Sequence, residues 1–217
     1  MELSEIFVSR QGEGSNIGKR ALFIRLFGCR KNCYFCDTPQ GRTGQPPLHS
    51  SVESLVVMAH DHRKKDGINL IVITGGEPGE QAGELNDLAR ELKGRDFTVH
   101  LETNGEHKAV SYVLFDHVTV SPKTSNLAWN TIGHSKSVEF KLLHDFDDPD
   151  GSISFFQGIV ATAKSKYGDY VEICVQPMAR GNEDTVTLAE DYKDICSLPA
   201  YKDVRILPQL HKMVGIK

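Results

Sequence analysis

Gly28-Cys29-Arg30-Lys31-Asn32-Cys33-Tyr34-Phe35-Cys36-Asp37-Thr38 holds three of the chain's five cysteines. Three thiols stand in the order Cys-x3-Cys-x2-Cys, with no fourth cysteine near them. A [4Fe–4S] cluster is normally held by four thiolates. Three on one short loop leave one iron open, and an open iron can chelate the amine and carboxylate of an amino acid. A zinc site is the competing reading. Structural zinc takes four ligands. His49 follows Cys36 at a zinc-finger-like distance, but the next histidine, His60, is too far on for a His-x3–5-His pair. Disulfides are disfavoured. Five cysteines is an odd number, and Met1-Glu2-Leu3-Ser4-Glu5 lacks the basic and apolar regions of a signal peptide, so reduced cytoplasmic thiols are expected.

With 217 residues and a net charge of −4, the chain is expected to form one domain, 1–217, large enough to bury a core. The negative balance argues against non-specific nucleic-acid binding, which needs a basic stripe. No apolar run reaches membrane-span length. A soluble, cytoplasmic protein without nucleic-acid or membrane partners is predicted.

Strands are predicted at Glu5–Ser9 and Arg20–Phe27, joined by Arg10-Gln11-Gly12-Glu13-Gly14-Ser15-Asn16-Ile17-Gly18. Three glycines there forbid regular structure and allow close backbone approach, either in a plain connection or around a ligand. Both faces of the second strand are largely apolar, so Arg25 stands out. A buried guanidinium needs an anion, and both a protein carboxylate and a ligand carboxylate fit.

Residues 39–51 read as irregular. Helices are then expected at Val52–Lys65, Gln81–Lys93, His107–Leu114, Ile153–Tyr167 and Asp184–Ser197. Strands are expected at Leu70–Ile73, Phe97–Leu101, Asp116–Val120, Val138–Leu142, Tyr170–Val175 and Val204–Leu207, with a loop at 125–136. Cys174 and Cys196 read as buried structural thiols. Val138, Phe140 and Leu142 are assigned to the core; Glu139 and Lys141 point the other way and are assigned to water. Strand tips carry polar, turn-forming residues: Thr74-Gly75-Gly76-Glu77-Pro78, Glu102-Thr103-Asn104-Gly105, Ser121-Pro122-Lys123-Thr124 and Gln176-Pro177-Met178. Glu102 suits a ribose hydroxyl or a turn cap. The alternation predicts an α/β fold, a partial (β/α) barrel with a mostly parallel sheet and its site at the strand C-termini.

The cysteine loop resembles that of the radical S-adenosylmethionine (SAM) enzymes. The wider pattern resembles one family among them, the 7-carboxy-7-deazaguanine synthases of queuosine and other deazapurine biosynthesis. It rests on Gln11-Gly12-Glu13-Gly14, Arg25, the cysteine loop with Asp37-Thr38, Thr74 to Pro78, Glu102 to Gly105, Ser121-Pro122-Lys123, Gln176-Pro177 and the tail from Leu207 to Gly215. The resemblance implies conversion of 6-carboxy-5,6,7,8-tetrahydropterin to 7-carboxy-7-deazaguanine with loss of ammonia, through hydrogen abstraction and ring contraction, with a [4Fe–4S] cluster, SAM used catalytically, and Mg²⁺. By the same likeness Cys29, Cys33 and Cys36 hold the cluster and Thr38 offers its hydroxyl to Mg²⁺. Phe35, Cys36, Asp37, Gly75, Gly76, Glu77, Glu102, Ser121, Pro122, Lys123 and Gln176 surround SAM. Arg10, Gln11, Gly12, Glu13, Arg25, Thr74, His211 and the terminal carboxylate of Lys217 meet the pterin, with Arg25 on its carboxylate. Residues 208–217 are expected to close over the site. A homodimer and a flavodoxin-like or ferredoxin-like reductant are implied too.

Two features depart from the family pattern: Thr124-Ser125 stands where members often carry Pro-Pro, and the terminal residue is Lys217. A glycyl-radical activating enzyme shares the cluster loop, but Arg25 and the His211 tail suit a small carboxylate substrate. A metal-stapled interaction protein without turnover has no need of the glycines and acids at the strand tips.

Overall fold

The structure is a computed structural model describing residues 1–36, 38, 46–178 and 185–215. In chain order it holds β1 (Glu2–Arg10), β2 (Arg20–Leu26), β3 (Leu48–His49), α1 (Val52–Asp66), β4 (Leu70–Gly75), α2 (Ala82–Lys93), β5 (Thr98–Thr103), β6 (His117–Val120), α3 (Trp129–Ile132), β7 (Val138–His144), α4 (Pro149–Tyr167), β8 (Val171–Pro177), α5 (Thr185–Ser197), β9 (Arg205–Ile206) and α6 (Leu210–Val214). The strands form one sheet in the order β3-β1-β2-β4-β5-β6-β7-β8-β9. From β2 to β9 every pairing is parallel, while β1 and β3 add antiparallel strands at one edge. This is the mostly parallel α/β sheet that the alternation predicts, left open at β3 and β9.

Register explains how the two sheet faces differ, because paired residues point to the same side. One face carries Leu22, Ile24, Ile71, Ile73, Leu101, Val118, Val120, Val138 and Phe140, all buried in the main core with the helices. α2 lays Leu85, Leu88, Ala89 and Leu92 against it. On the other face, one row runs Glu5, Arg25, Thr74, Glu102, Thr119, Glu139 across six paired strands. One row toward the strand N-termini sit Phe7, Phe23 and Val72, where Phe7 and Phe23 stack with ring centroids 5.1 Å apart. The sheet thus carries a polar row at the rim above an apolar patch.

Helix ends follow local chemistry. Ser51 caps α1 by accepting from the Ser54 amide, and Gly67 closes it in the left-handed region at φ 67°. α4 begins four residues earlier than its apolar period suggests, because Asp148 caps it and Pro149 occupies the first turn. The helix expected at 107–114 shrinks to one 3-10 turn, Tyr112–Leu114. Asn86 reaches over from α2, donating to the Ala109 carbonyl at 3.0 Å and accepting from the Ser111 amide at 2.8 Å, which removes backbone groups a helix would use. Within the expected loop 125–136 stands the single turn of α3.

Two burial expectations are corrected. Cys174 is buried, but Cys196 is exposed; Ile195 occupies the core-facing stripe of α5, and the next residue is turned about 100° from it. Glu139 and Lys141 do not face water: Glu139 is fully buried and Lys141 nearly so. The 11–19 loop folds over their side of the sheet, and the Ser15 amide donates to Glu139 Oε1 at 2.7 Å.

Candidate active site

Above the polar row lies a cavity of about 240 Å³. Its first wall is the cysteine loop. Cys29, Cys33 and Cys36 all line it as free thiols, with Cys36 exposed. Burial pushes the Cys29 thiol above its ordinary pKa, with Glu77 and Glu80 adding to the effect. The chain entering this loop is fixed by backbone alone: the Gly76 amide donates to Leu26 O at 3.0 Å and the Glu77 amide to Gly28 O at 2.7 Å. Gly75 has φ +152°, and a Cβ there would lie 2.3 Å from Leu26 O, so this approach requires glycine.

Glu77 joins two strand tips. Its carboxylate accepts from the Gly79 amide at 2.9 Å, Thr103 Oγ1 at 2.6 Å and the Asn104 amide at 2.7 Å. Burial raises its pKa, against the pull of these donors. Both oxygens are therefore engaged by the protein itself. Lys123 Nζ stands 5.4 Å from the centroid of the Phe35 ring on the same wall.

The 11–19 loop forms the floor. Gln11 Nε2 donates to Glu102 Oε1 at 2.6 Å, and Thr74 Oγ1 to Glu102 Oε2 at 3.0 Å. Glu102 thereby holds the loop against the tip of β4. Glu13 pairs with Lys141 Nζ and accepts from Gln209 Nε2 at 2.6 Å. Burial alone would raise the Glu13 pKa, but Lys141, His211 and Gln209 outweigh it and hold the carboxyl at about 2. Lys141 is likewise held charged: burial opposes the charge, and Glu13 and Glu102 outweigh it. The last wall is α6. The Leu210 amide donates to Gly12 O at 2.9 Å, and His211 packs where a Gly12 side chain would lie, its Nδ1 2.6 Å from that Cβ position.

Arg25 realises the internal ion pair and still borders the cavity. Its Nε donates to Glu5 Oε1 at 2.9 Å, Nη1 to Thr38 Oγ1 at 3.5 Å, and its Cζ lies 5.7 Å from the Phe7 ring centroid.

The family model for the radical SAM superfamily matches residues 23–135. A 7-carboxy-7-deazaguanine synthase of Methanospirillum hungatei is 30% identical over 226 residues, spanning 100% of this chain and 86% of the relative. The chain belongs to the 7-carboxy-7-deazaguanine synthase family of radical SAM proteins. A further 7-carboxy-7-deazaguanine synthase, from Methanopyrus kandleri, is 28% identical across 99% of this chain and 93% of its own. A crystal structure of QueE from Escherichia coli shares the fold, with a TM-score of 0.70, 24% identity, and coverage of 94% of this chain and 92% of that one.

For a chain of this family, a [4Fe–4S] cluster and SAM are the cofactors. The chemistry of the donor set fits the cluster: Cys29, Cys33 and Cys36 are free thiols of one loop on one wall of the cavity, and three thiolates would leave one iron without a protein ligand. The structure brings most of the expected site residues to this one chamber: Arg10, Gln11, Gly12, Glu13 and Arg25; the three cysteines, Phe35 and Thr38; Thr74 to Glu77; Glu102, Ser121, Lys123 and His211. Pro122 and Gln176 are not on its surface. Gln176 is fully buried and its Nε2 donates to Pro208 O at 3.0 Å, tying β8 to the segment before α6. Asp37 and Lys217 lie outside the described residues. Sequence reasoning missed Lys31, Lys141, Met178 and Gln209, which also line the cavity. The available signal for Lys141 was its place two residues from Glu139 in a strand otherwise buried.

Proposed function

We propose that this chain converts 6-carboxy-5,6,7,8-tetrahydropterin to 7-carboxy-7-deazaguanine with loss of ammonia. The observation that carries the reading is a single chamber shared by the three-thiol loop and the Arg25–Thr74–Glu102 row. When bound, the cluster and SAM supply a hydrogen-abstracting carbon radical. The chain's own residues do the rest. Gly75 and Gly76 offer bare backbone for the amino-acid part of SAM, and Glu102 and Ser121 offer polar atoms for its nucleoside. Lys123 and Phe35 close that side.

Arg25 takes the pterin carboxylate. Its Nε is held by Glu5, which leaves the Nη groups to meet a carboxylate in the cavity that Arg25 lines. Gln11, Glu13 and Thr74 meet the ring from the floor, and His211 covers it. Held this way, the substrate has one carbon presented to the cofactor side and little room to turn. Glu77 acts through its neighbours, setting the tips of β4 and β5.

Magnesium belongs to the same reading. Thr38 offers a hard oxygen, but Arg25 Nη1 is 3.5 Å from that oxygen. Glu5 already pairs with that guanidinium, so what a cation there lacks is an anionic ligand; the substrate carboxylate would supply one, and magnesium should bind with the pterin and not before it. Tyr34, highly exposed beside the thiols, leaves an open approach for a flavodoxin-like or ferredoxin-like electron donor. No helix among the described residues is long and apolar enough to cross a membrane; a cytoplasmic homodimer completes the proposal. One domain with 208–217 closing over the chamber belongs to the same proposal; for the part through 215, the Leu210–Gly12 and Gln209–Glu13 bonds support it.

Ammonia release tests the function. Anaerobic, reconstituted protein should release ammonia only when SAM, reductant and the pterin are all present. Release of none with an intact cluster would overturn the proposal.

A further inference from the structure

Lys141 is the buried cation in this chamber that the family pattern quoted above leaves without a role. It rises from β7, nearly excluded from water, and its Nζ pairs with Glu13 of the 11–19 loop. The second Glu13 oxygen accepts from Gln209 at the base of α6. One carboxylate is thus held from β7 and from the C-terminal segment at once. Each of its oxygens keeps a second lone pair, and Glu13 lines the cavity.

We propose that Lys141 is a positioning residue: it holds Glu13 as a carboxylate aimed into the chamber, where Glu13 reads the N–H edge of the aminopyrimidinone ring, and it locks the start of α6 over the site. The inference rests on the pterin reading above. A ring amide N–H and its neighbouring amino group are both donors, and an ionised carboxylate, which only accepts, is their complement. A protonated Glu13 would instead present a donor to donors. The groups facing Glu13 are Lys141 on β7 and His211 on α6; beyond Lys141 stand Glu102 on β5 and the Cys174 thiol on β8. Without Lys141, burial is the dominant influence on Glu13, and it favours the protonated acid.

The test compares Lys141→Met with Lys141→Arg. In the Met variant KM for the pterin should rise at least tenfold, with kcat falling less. Its pterin affinity should fall as pH drops from about 8 to about 5, across the range where a buried carboxyl titrates, while the wild-type profile stays flat. The Arg variant should recover most of the affinity and the flat profile. A Met variant with a flat profile, or an Arg variant no better than Met, would overturn the proposal. A second readout needs no ligand: amide hydrogen exchange at Leu210 should quicken about tenfold in the Met variant and in Glu13→Gln. Unchanged exchange would refute the lock. If the wild-type protein fails to bind the pterin, the substrate reading falls, and the exchange result still decides whether Lys141 holds the loop and helix.

Discussion

Gly12 is where the 11–19 loop and α6 touch, and a methyl group there would sit 2.6 Å from His211. Gly12→Ala should push α6 away and lower turnover at least tenfold. It should leave global stability within about 1–2 kcal/mol of wild type, because α6 contributes no fully buried side chain. Steady-state kinetics and urea unfolding together check both halves. His100 gives a prediction about acid. Burial, with His117 and Lys19 adding to it, pushes its imidazole down to about 4. The unfolded chain then takes up the proton first. The contribution to stability is full above about pH 6.5 and is lost as pH falls toward 4, an effect of up to about 3 kcal/mol. His100→Gln should flatten that part of the stability curve in unfolding measured from pH 7 to 4. An unchanged slope would assign the acid limb to other groups.

Glu77 acts between elements. Its three donors bind β4 to β5 at the level of the cysteine loop. Glu77→Gln replaces one acceptor by a donor facing a donor, and should destabilise by about 2–4 kcal/mol in urea unfolding. The cysteine loop should also load iron less completely, read from the iron content after reconstitution. At this scale much was legible in sequence. The long helices and buried strands follow from apolar period, and the polar strand tips from their glycines and acids. The helix expected at 107–114 failed because Asn86, on another element, takes its backbone groups. Glu139 and Lys141 were misplaced for a related reason. Strand parity put them together on the correct face, but only the folded 11–19 loop shows that this face is covered. The Lys141–Glu13 and Gln209–Glu13 contacts span 128 and 196 residues of sequence, beyond the reach of local pattern. Arg25 shows the opposite case: its need for an anion was plain from sequence, and the structure supplies Glu5 while leaving its outer nitrogens beside Thr38.

For the whole molecule, the central point is that strand order assembles the site. Residues from β2, β4 and β5 form one polar row, the cysteine loop stands at one side, and the chain's last helix closes the other. Arg25→Ala tests the row as a substrate clamp: affinity for the pterin should fall by roughly 1.5–3 kcal/mol, the range of a charged hydrogen bond, in a direct titration. The measurement that bears most directly on the account is product analysis after anaerobic turnover with reconstituted cluster, SAM, reductant, Mg²⁺ and 6-carboxytetrahydropterin. The account predicts a product lighter than the substrate by one ammonia, formed over many turnovers without an equivalent of SAM being consumed. Cleavage of SAM with the pterin unchanged would contradict the assignment of this chamber to the pterin.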